Sequence, residues 1–187
     1  MDVNQLIAHR ISALRDARGW SLDGLAQRSG VSRSTISLIE RAATSPTAVV
    51  LDKLALALGV TLGSLFEAEP AVTSPPSPLQ SAAQQIVWTD PESGYTRRQL
   101  SPPGLSPLHL VEVEFPAGQT VHYENLHQEL DIAQQVWLIS GQMRIQVGAL
   151  SYLLLAGDCL AMSLNEAITY HNPGQCSAHY LVALIKP

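Results

Sequence analysis

The stretch EAEPAVTSPPSPLQSAA, residues 67–83, divides this chain into two texts that obey different periods. Its four prolines lack the N–H that a helix or an inner strand needs, and apolar periodicity is absent from it. Ahead of it, apolar residues recur at helical spacing. Behind it lie short runs rich in Val, Ile, Leu, Tyr and Trp, separated by Gly, Pro, Asn and Asp. A chain so divided predicts a helical unit over residues 1–66, an extended linker over 67–83 and a β unit over 84–187, an α+β multidomain protein.

In the first unit, Val3, Leu6, Ile7, Ile11 and Leu14 fall on one helical face that Gly19 closes. Ser21 caps a short second helix burying Leu22, Leu25 and Ala26, and Gly30 allows the turn after it. Ser32 caps a third helix to about Arg41 with Ile36 and Ile39 inward. Pro46 and Thr47 open a fourth carrying Val50, Leu51, Leu54 and Leu58, and Thr61 caps a fifth through Phe66. The strand-like runs of the second unit are 86–88, 95–100, 108–115, 135–140, 142–147, 152–155 and 179–185. Their regular spacing predicts a closed sandwich or barrel.

Composition bounds the function classes. Apolar residues make up 46% and charged residues 14%, enough to fill cores and too little charge for a disordered chain. The net charge of −5 hides an asymmetry: residues 1–66 carry seven Lys/Arg against five Asp/Glu, and the remainder four against eleven. A basic head on an acidic body fits nucleic-acid docking at one end. The first residues lack a basic stretch followed by an apolar core, and no apolar run approaches a membrane span, so a cytoplasmic protein with no membrane partner is expected. The two cysteines, Cys159 and Cys176, are too few for a disulfide framework and read as small buried hydrophobes.

The third helix has the face that a DNA groove requires. With Ile36 and Ile39 inward, Ser34, Ser37, Leu38 and Arg41 turn outward, and Ser32 and Arg33 stand at the exposed N-terminal end. That face is polar, small and without an acid near its start, which suits the major groove. Arg33 is the candidate for a bidentate contact to guanine, with a phosphate contact as the alternative. Ser34 and Ser37 can bond base edges or phosphate, and Leu38 can touch a thymine methyl. Phosphate contacts are expected at helix N-termini, from Ser21 and Leu22, from Ser32 and Arg33, and from Thr44, Ser45 and Thr47 beside Arg41. Glu40 leans inward and is expected to pair with a helix-one arginine such as Arg15. Leu25-Ala26, Gly30-Val31-Ser32, Ile36, Ile39, Glu40-Arg41, Pro46, Leu51, Leu54-Ala55, Leu58-Gly59-Val60 and Leu65-Phe66 together resemble the helix-turn-helix of Cro and lambda repressor, the XRE family. The resemblance covers about residues 6–66 and implies operator DNA as a partner.

In the second unit, FPAGQ at 115–119, Gln134 ahead of Gly141, LAGD at 155–158 and YHNPG at 170–174 resemble the two motifs of the cupin family. That resemblance implies a jelly-roll barrel. Metal-binding cupins supply histidines and a glutamate at four motif positions, and here those positions fall on His127, Glu129, Gln134 and Ile168. An uncharged Gln and an Ile cannot replace an anion and an imidazole, so no metal and no cofactor are expected. His109, His122, His171 and His179 could assemble a displaced site only if the fold brought them together, and nothing in their spacing requires it. Alternation instead turns Gln134, Val136, Leu138, Ile168 and Tyr170 into the barrel, with His127 and Glu129 near its mouth. Such an apolar pocket with a few polar anchors suits a small amphiphilic effector, amino-acid-like or carboxylated.

The expected function is a one-component, ligand-responsive transcription regulator that binds a partly palindromic operator as a homodimer. Two alternatives stand beside it: a cupin enzyme or metal-dependent sensor carrying a DNA-binding domain, and a barrel used only for dimerisation. The enzyme reading is disfavoured by the broken ligand set and by the lack of a nucleophile and base at recognisable spacing.

Overall fold

The computed structural model describes residues 2–67, 77–104, 106–124 and 132–185. The chain forms two compact units, Met1–Ala71 and Val72–Pro187. No helix among the described residues is long and apolar enough to cross a membrane.

In the first unit the helical period does what its spacing predicts. Helices α1 (Val3–Asp16), α2 (Leu22–Ser29), α3 (Arg33–Glu40) and α4 (Ala48–Ala57) bury a common core that includes Ile7, Ile11, Leu25, Ile36, Ile39, Leu51 and Leu54. Each such side chain contributes roughly 1.5–3 kcal/mol, more than the ~1 kcal/mol of a typical cap. The apolar stripe therefore sets the packing, and the caps set where each helix starts. Ser21 Oγ accepts from the Gly24 N–H at 3.1 Å, Ser32 Oγ from Thr35 N–H at 3.1 Å and Thr47 Oγ1 from Val50 N–H at 3.4 Å. Gly30, at φ 68°, closes α2 in the left-handed conformation.

Thr47 stands before α4 as its cap, and one expectation needs correction here. The fifth helix, Leu62–Phe66, is a 3-10 helix, so the α-helices of this unit number four among the described residues. Five residues offer little room for i→i+4 bonds, and Ser64 N–H turns instead to Thr61 C=O at 2.9 Å.

The second unit has ten described strands: β1 (Val87–Thr89), β2 (Thr96–Gln99), β3 (Leu108–Phe115), β4 (Thr120–Tyr123), β5 (Ala133–Ser140), β6 (Gln142–Val147), β7 (Leu150–Leu155), β8 (Cys159–Ser163), β9 (Ile168–His171) and β10 (Ala178–Ile185). Three of them, β4, β8 and β9, lie outside the strand runs expected from composition. They are short and mixed in polarity, and pairing within the sheets makes them strands, β8 against β5, β9 against β6 and β4 against β9. The sheets run β1-β2-β3-β10-β5-β8 and β4-β9-β6-β7. From β3 onward, consecutive strands alternate between the sheets except at the β6–β7 hairpin. This 3-10-5-8 and 4-9-6-7 order is that of a double-sheet jelly roll. The two inner faces meet in an apolar interior of Val111, Val113, Phe115, Val121, Val136, Leu138, Met143, Ile145 and Ile168.

Two residues fix the ends of the roll. Gly141, at φ 83°, turns β5 into β6 where an added Cβ would lie 2.8 Å from Ala178 Cα, so only glycine fits. Asn172, fully buried, donates to the carbonyls of Phe115 (3.0 Å) and Cys176 (2.9 Å) and accepts from Gly174 N–H (2.9 Å). It ties the turn after β9 to the end of β3. The cysteines depart from expectation: Cys159 and Cys176 are both exposed. Cys159 opens the edge strand β8 opposite Trp137, on the outer face of its sheet, and Cys176 lies in the turn before β10.

Candidate nucleic-acid interface and jelly-roll interior

Helix α3 is held from below and left open above. Ile36 and Ile39 are buried, while Ser32, Arg33, Ser34, Leu38 and Arg41 are exposed and Ser37 is half-buried. Thr44 is exposed, and Ser45 and Thr47 are half-buried beside the start of α4. Ser21 is exposed at the start of α2. The hydroxyls are not idle, because Ser32 Oγ also meets Ser34 Oγ at 2.9 Å and Thr35 Oγ1 at 2.8 Å. Arg41 folds its Nε back onto Ser37 C=O at 3.0 Å, closing the last turn of α3.

Sequence reasoning did not foresee the partner of Arg33. Its Nε lies 3.3 Å from Asp23 Oδ2 in the first turn of α2, with both side chains well exposed. An exposed pair of this kind contributes little to stability. It costs little to open, and until then it holds the guanidinium at the N-terminal end of α3.

Glu40 is turned away from this face, as its position on the helix predicts. Arg15 of α1 grips it with both arms, Nε to Oε1 at 2.7 Å and Nη2 to Oε2 at 2.8 Å, and also donates to Trp20 C=O at 2.8 Å. Both side chains of the pair are mostly buried. Hydrogen bonding to Glu40 pushes the Arg15 guanidinium above its usual range, against the opposing effect of burial. The pair ties α3 to α1 and keeps a carboxylate off the exposed face of α3.

In the second unit, Gln134, Val136, Leu138, Ile168 and Tyr170 all face the interior and are buried. Gln134 Nε2 donates to Tyr170 Oη at 2.7 Å, joining the two sheets. Tyr170 stacks on Tyr180 at 6.4 Å and meets Tyr123 edge-on at 6.0 Å, and the Tyr123 and Tyr95 hydroxyls lie 2.9 Å apart. His127 and Glu129 lie outside the described residues. At the two described cupin ligand positions the donor set does not fit a metal. Gln134 spends its amide on a phenol, and Ile168 is a fully buried hydrocarbon. Histidines do not rebuild such a site: His122 Nδ1 pairs with Thr169 Oγ1 at 2.8 Å, His171 Nδ1 with Thr120 Oγ1 at 2.9 Å and His179 Nε2 with Glu112 Oε1 at 2.9 Å. Among the described residues no three potential ligands converge.

Two features escaped the sequence reading. Arg97, treated there only as part of a strand, is buried in the interior on β2. Burial pushes its guanidinium below the usual range, and the nearby phenols of Tyr95, Tyr123 and Tyr180 oppose that shift. The Tyr180 phenol is pushed well above its usual range by burial, with Tyr170 and Tyr95 adding and Arg97 opposing. The second feature is a cleft of about 370 Å³ on the outer face of the larger sheet, where Glu112 holds Arg98 at 3.2 Å and His179 at 2.9 Å. Alternation along β2 and β3 separates the two: odd-numbered Arg97, Gln99, Val111 and Val113 face in, and even-numbered Arg98, Glu112 and Glu114 face out.

A capped helix with a polar outer face, following α2 across a glycine turn in a chain that also carries a jelly roll, points to a DNA-binding transcription regulator with a jelly-roll domain. Residues 11–65 match the helix-turn-helix family HTH_3. The chain is 33% identical over 95 residues to the HTH-type transcriptional regulator SinR of Bacillus subtilis, covering 85% of that protein and 50% of this chain. Over 178 residues it is 27% identical to the HTH-type transcriptional regulator SutR of Escherichia coli, covering 94% of this chain and 92% of that one. In fold it is similar to a crystallised HTH_3 family transcriptional regulator from Vibrio cholerae, with a TM-score of 0.75, 20% identity, and coverage of 99% and 97%. The chain belongs to the HTH_3 family of helix-turn-helix transcription regulators.

Proposed function

We propose that this chain is a one-component regulator that is not an enzyme, reads operator DNA with α3 as a homodimer, and changes its operator affinity when a small effector enters the jelly roll. The observation that carries the DNA half is the exposed N-terminal end of α3, with Ser32, Arg33 and Ser34 above a helix anchored by Ile36, Ile39 and the Arg15–Glu40 pair. Arg33 reads a guanine, Ser34, Ser37 and Leu38 touch base edges, and Arg41 with Ser21, Thr44, Ser45 and Thr47 holds phosphates. A single recognition helix covers a short site, which two-fold symmetry doubles. Support for the effector half is the interior itself, where Gln134, Tyr170 and further polar groups sit among hydrocarbon side chains, with no metal donor set among the described residues.

Binding-site selection with the wild-type protein should return a two-fold symmetric site. Arg33→Ala should relax one base position in each half-site, at a cost of about 1–3 kcal/mol. Arg41→Ala should weaken all sequences alike and flatten the salt dependence. An asymmetric site, or base preferences unchanged in Arg33→Ala, removes the dimer or the reader from this reading.

A further inference from the structure

Arg97 is one of only four Lys/Arg in residues 67–187, a stretch that carries eleven Asp/Glu, yet this cation is 7% exposed and faces the interior of the roll. Its place is set by register. Across the larger sheet Arg97 stands opposite Val113 of β3, which pairs with Tyr180 of β10, which pairs with Leu138 of β5. Two residues along the same face, Gln99 is also 7% exposed, and its Oε1 is buried without a hydrogen-bond donor. An unsatisfied buried amide oxygen is destabilising, and a ligand carrying a donor would relieve it. Opposite them, the second sheet contributes the phenol of Tyr170, already joined to Gln134, with Tyr123 against its edge.

The chemistry of that set is specific. A guanidinium offers several N–H donors in a plane that matches a carboxylate, and desolvation strengthens such a bond relative to water. Tyr180 stays a neutral phenol there, since its ionisation is opposed by burial and by neighbouring phenols. Gln99 presents an acceptor about 6–7 Å along the strand from Arg97, counted between backbone positions. One ligand that satisfies both carries a carboxylate and, close to it, a hydroxyl or ammonium. Val111, Val113, Val136 and Leu138 face the same interior, so a hydrocarbon body there would meet apolar side chains.

We propose that Arg97 and Gln99 form the polar end of the effector site, and that the effector is a small hydroxy- or amino-substituted carboxylic acid, its carboxylate on Arg97 and its donor on Gln99. This rests on the reading of the interior as an effector site and specifies its ligand class. Neither residue belongs to the two cupin motifs.

The test uses the full chain and calorimetric titration with the common L-amino acids and the matching 2-hydroxy acids. Any acid that binds is compared with its carboxamide and with the unsubstituted acid. The carboxamide should bind about ten- to hundred-fold more weakly, and so should the acid on Arg97→Met, while Arg97→Lys keeps part of the affinity. Gln99→Leu should bring the affinities for the substituted and unsubstituted acids together. Operator affinity without ligand and far-ultraviolet dichroism check that each variant is folded; if Arg97→Met is not, the carboxamide and Gln99→Leu comparisons on folded protein carry the test. Equal binding of acid and carboxamide overturns the anion anchor while leaving an effector site. Absence of binding by every acid overturns the ligand class, and a neutral metabolite that shifts operator affinity would then preserve the effector reading alone. Acid binding that leaves operator affinity unchanged keeps the site and removes its regulatory role.

Discussion

The helical head and the jelly roll place their functional groups in opposite ways. In the head, the candidate contacts lie on the outside of one short helix and the starts of its neighbours, within the 27 residues from Ser21 to Thr47. In the roll, Arg97, Gln134, Tyr170 and Tyr180 come from β2, β5, β9 and β10 and meet only because two sheets close over them. A surface site of the first kind depends on local periodicity and a few anchors. An interior site of the second kind depends on register, since a slip by one residue would exchange Arg97 for Arg98 and move the buried cation into the outer cleft. The head should therefore tolerate change on its candidate contact face without losing its fold, whereas the candidate groups of the roll lie in its core.

The sharpest way to break this contrast is at Gly141. Gly141→Ala forces a Cβ into the backbone at Ala178 from a positive φ, and should destabilise the roll by about 3 kcal/mol or more. Urea denaturation followed by β-sheet and helix signals should show the β transition moving and the helical transition staying; movement of both by the same amount would mean that the units fold as one. Next in size is Arg15→Ala, which strands the Glu40 carboxylate in the head. It should cost about 2–3 kcal/mol, reduced from the full buried-pair value by the pair's residual exposure. Arg15→Ala combined with Glu40→Ala should recover part of that loss in the same denaturation experiment, and a purely additive pair would contradict the coupling.

The smallest expected effect has the opposite sign. Ala42, just past α3, adopts φ 51°, a conformation that a side chain disfavours by about 1–2 kcal/mol. Ala42→Gly relieves that strain and gives back part of it as chain entropy, so the head should gain about 0.5–1 kcal/mol in thermal or chemical denaturation. A loss of stability would show that the position is held for another reason.

Much of the head is legible in its sequence. The Ile36–Ile39 spacing and the inward lean of Glu40 follow from one period of 3.6 residues, the serine and threonine caps from side-chain oxygens that accept the free N–H groups of a helix start, and the Arg15–Glu40 pair was foreseeable from the wheel. The Arg33–Asp23 contact was not, because it joins two helices whose crossing no period reports. In the roll, alternation placed Gln134, Val136, Leu138, Ile168 and Tyr170 correctly because each strand has one clearly apolar face or a motif to fix its parity. Strand β2 reads Thr-Arg-Arg-Gln, polar at every position, so its own sequence cannot say which face is inside.

By itself, then, the sequence determined the helices of the head and their outward face, and the β character of the remainder, because each depends on spacing along one short stretch. The tertiary structure decided the membership of β4, β8 and β9, the exposure of Cys159 and Cys176, and the choice of Arg97 over Arg98 as the buried cation. Those depend on which strand lies beside which: β3 has Val111 and Val113 on its inner face, and pairing Gln99 and Arg97 with them turns both side chains inward whatever their own polarity.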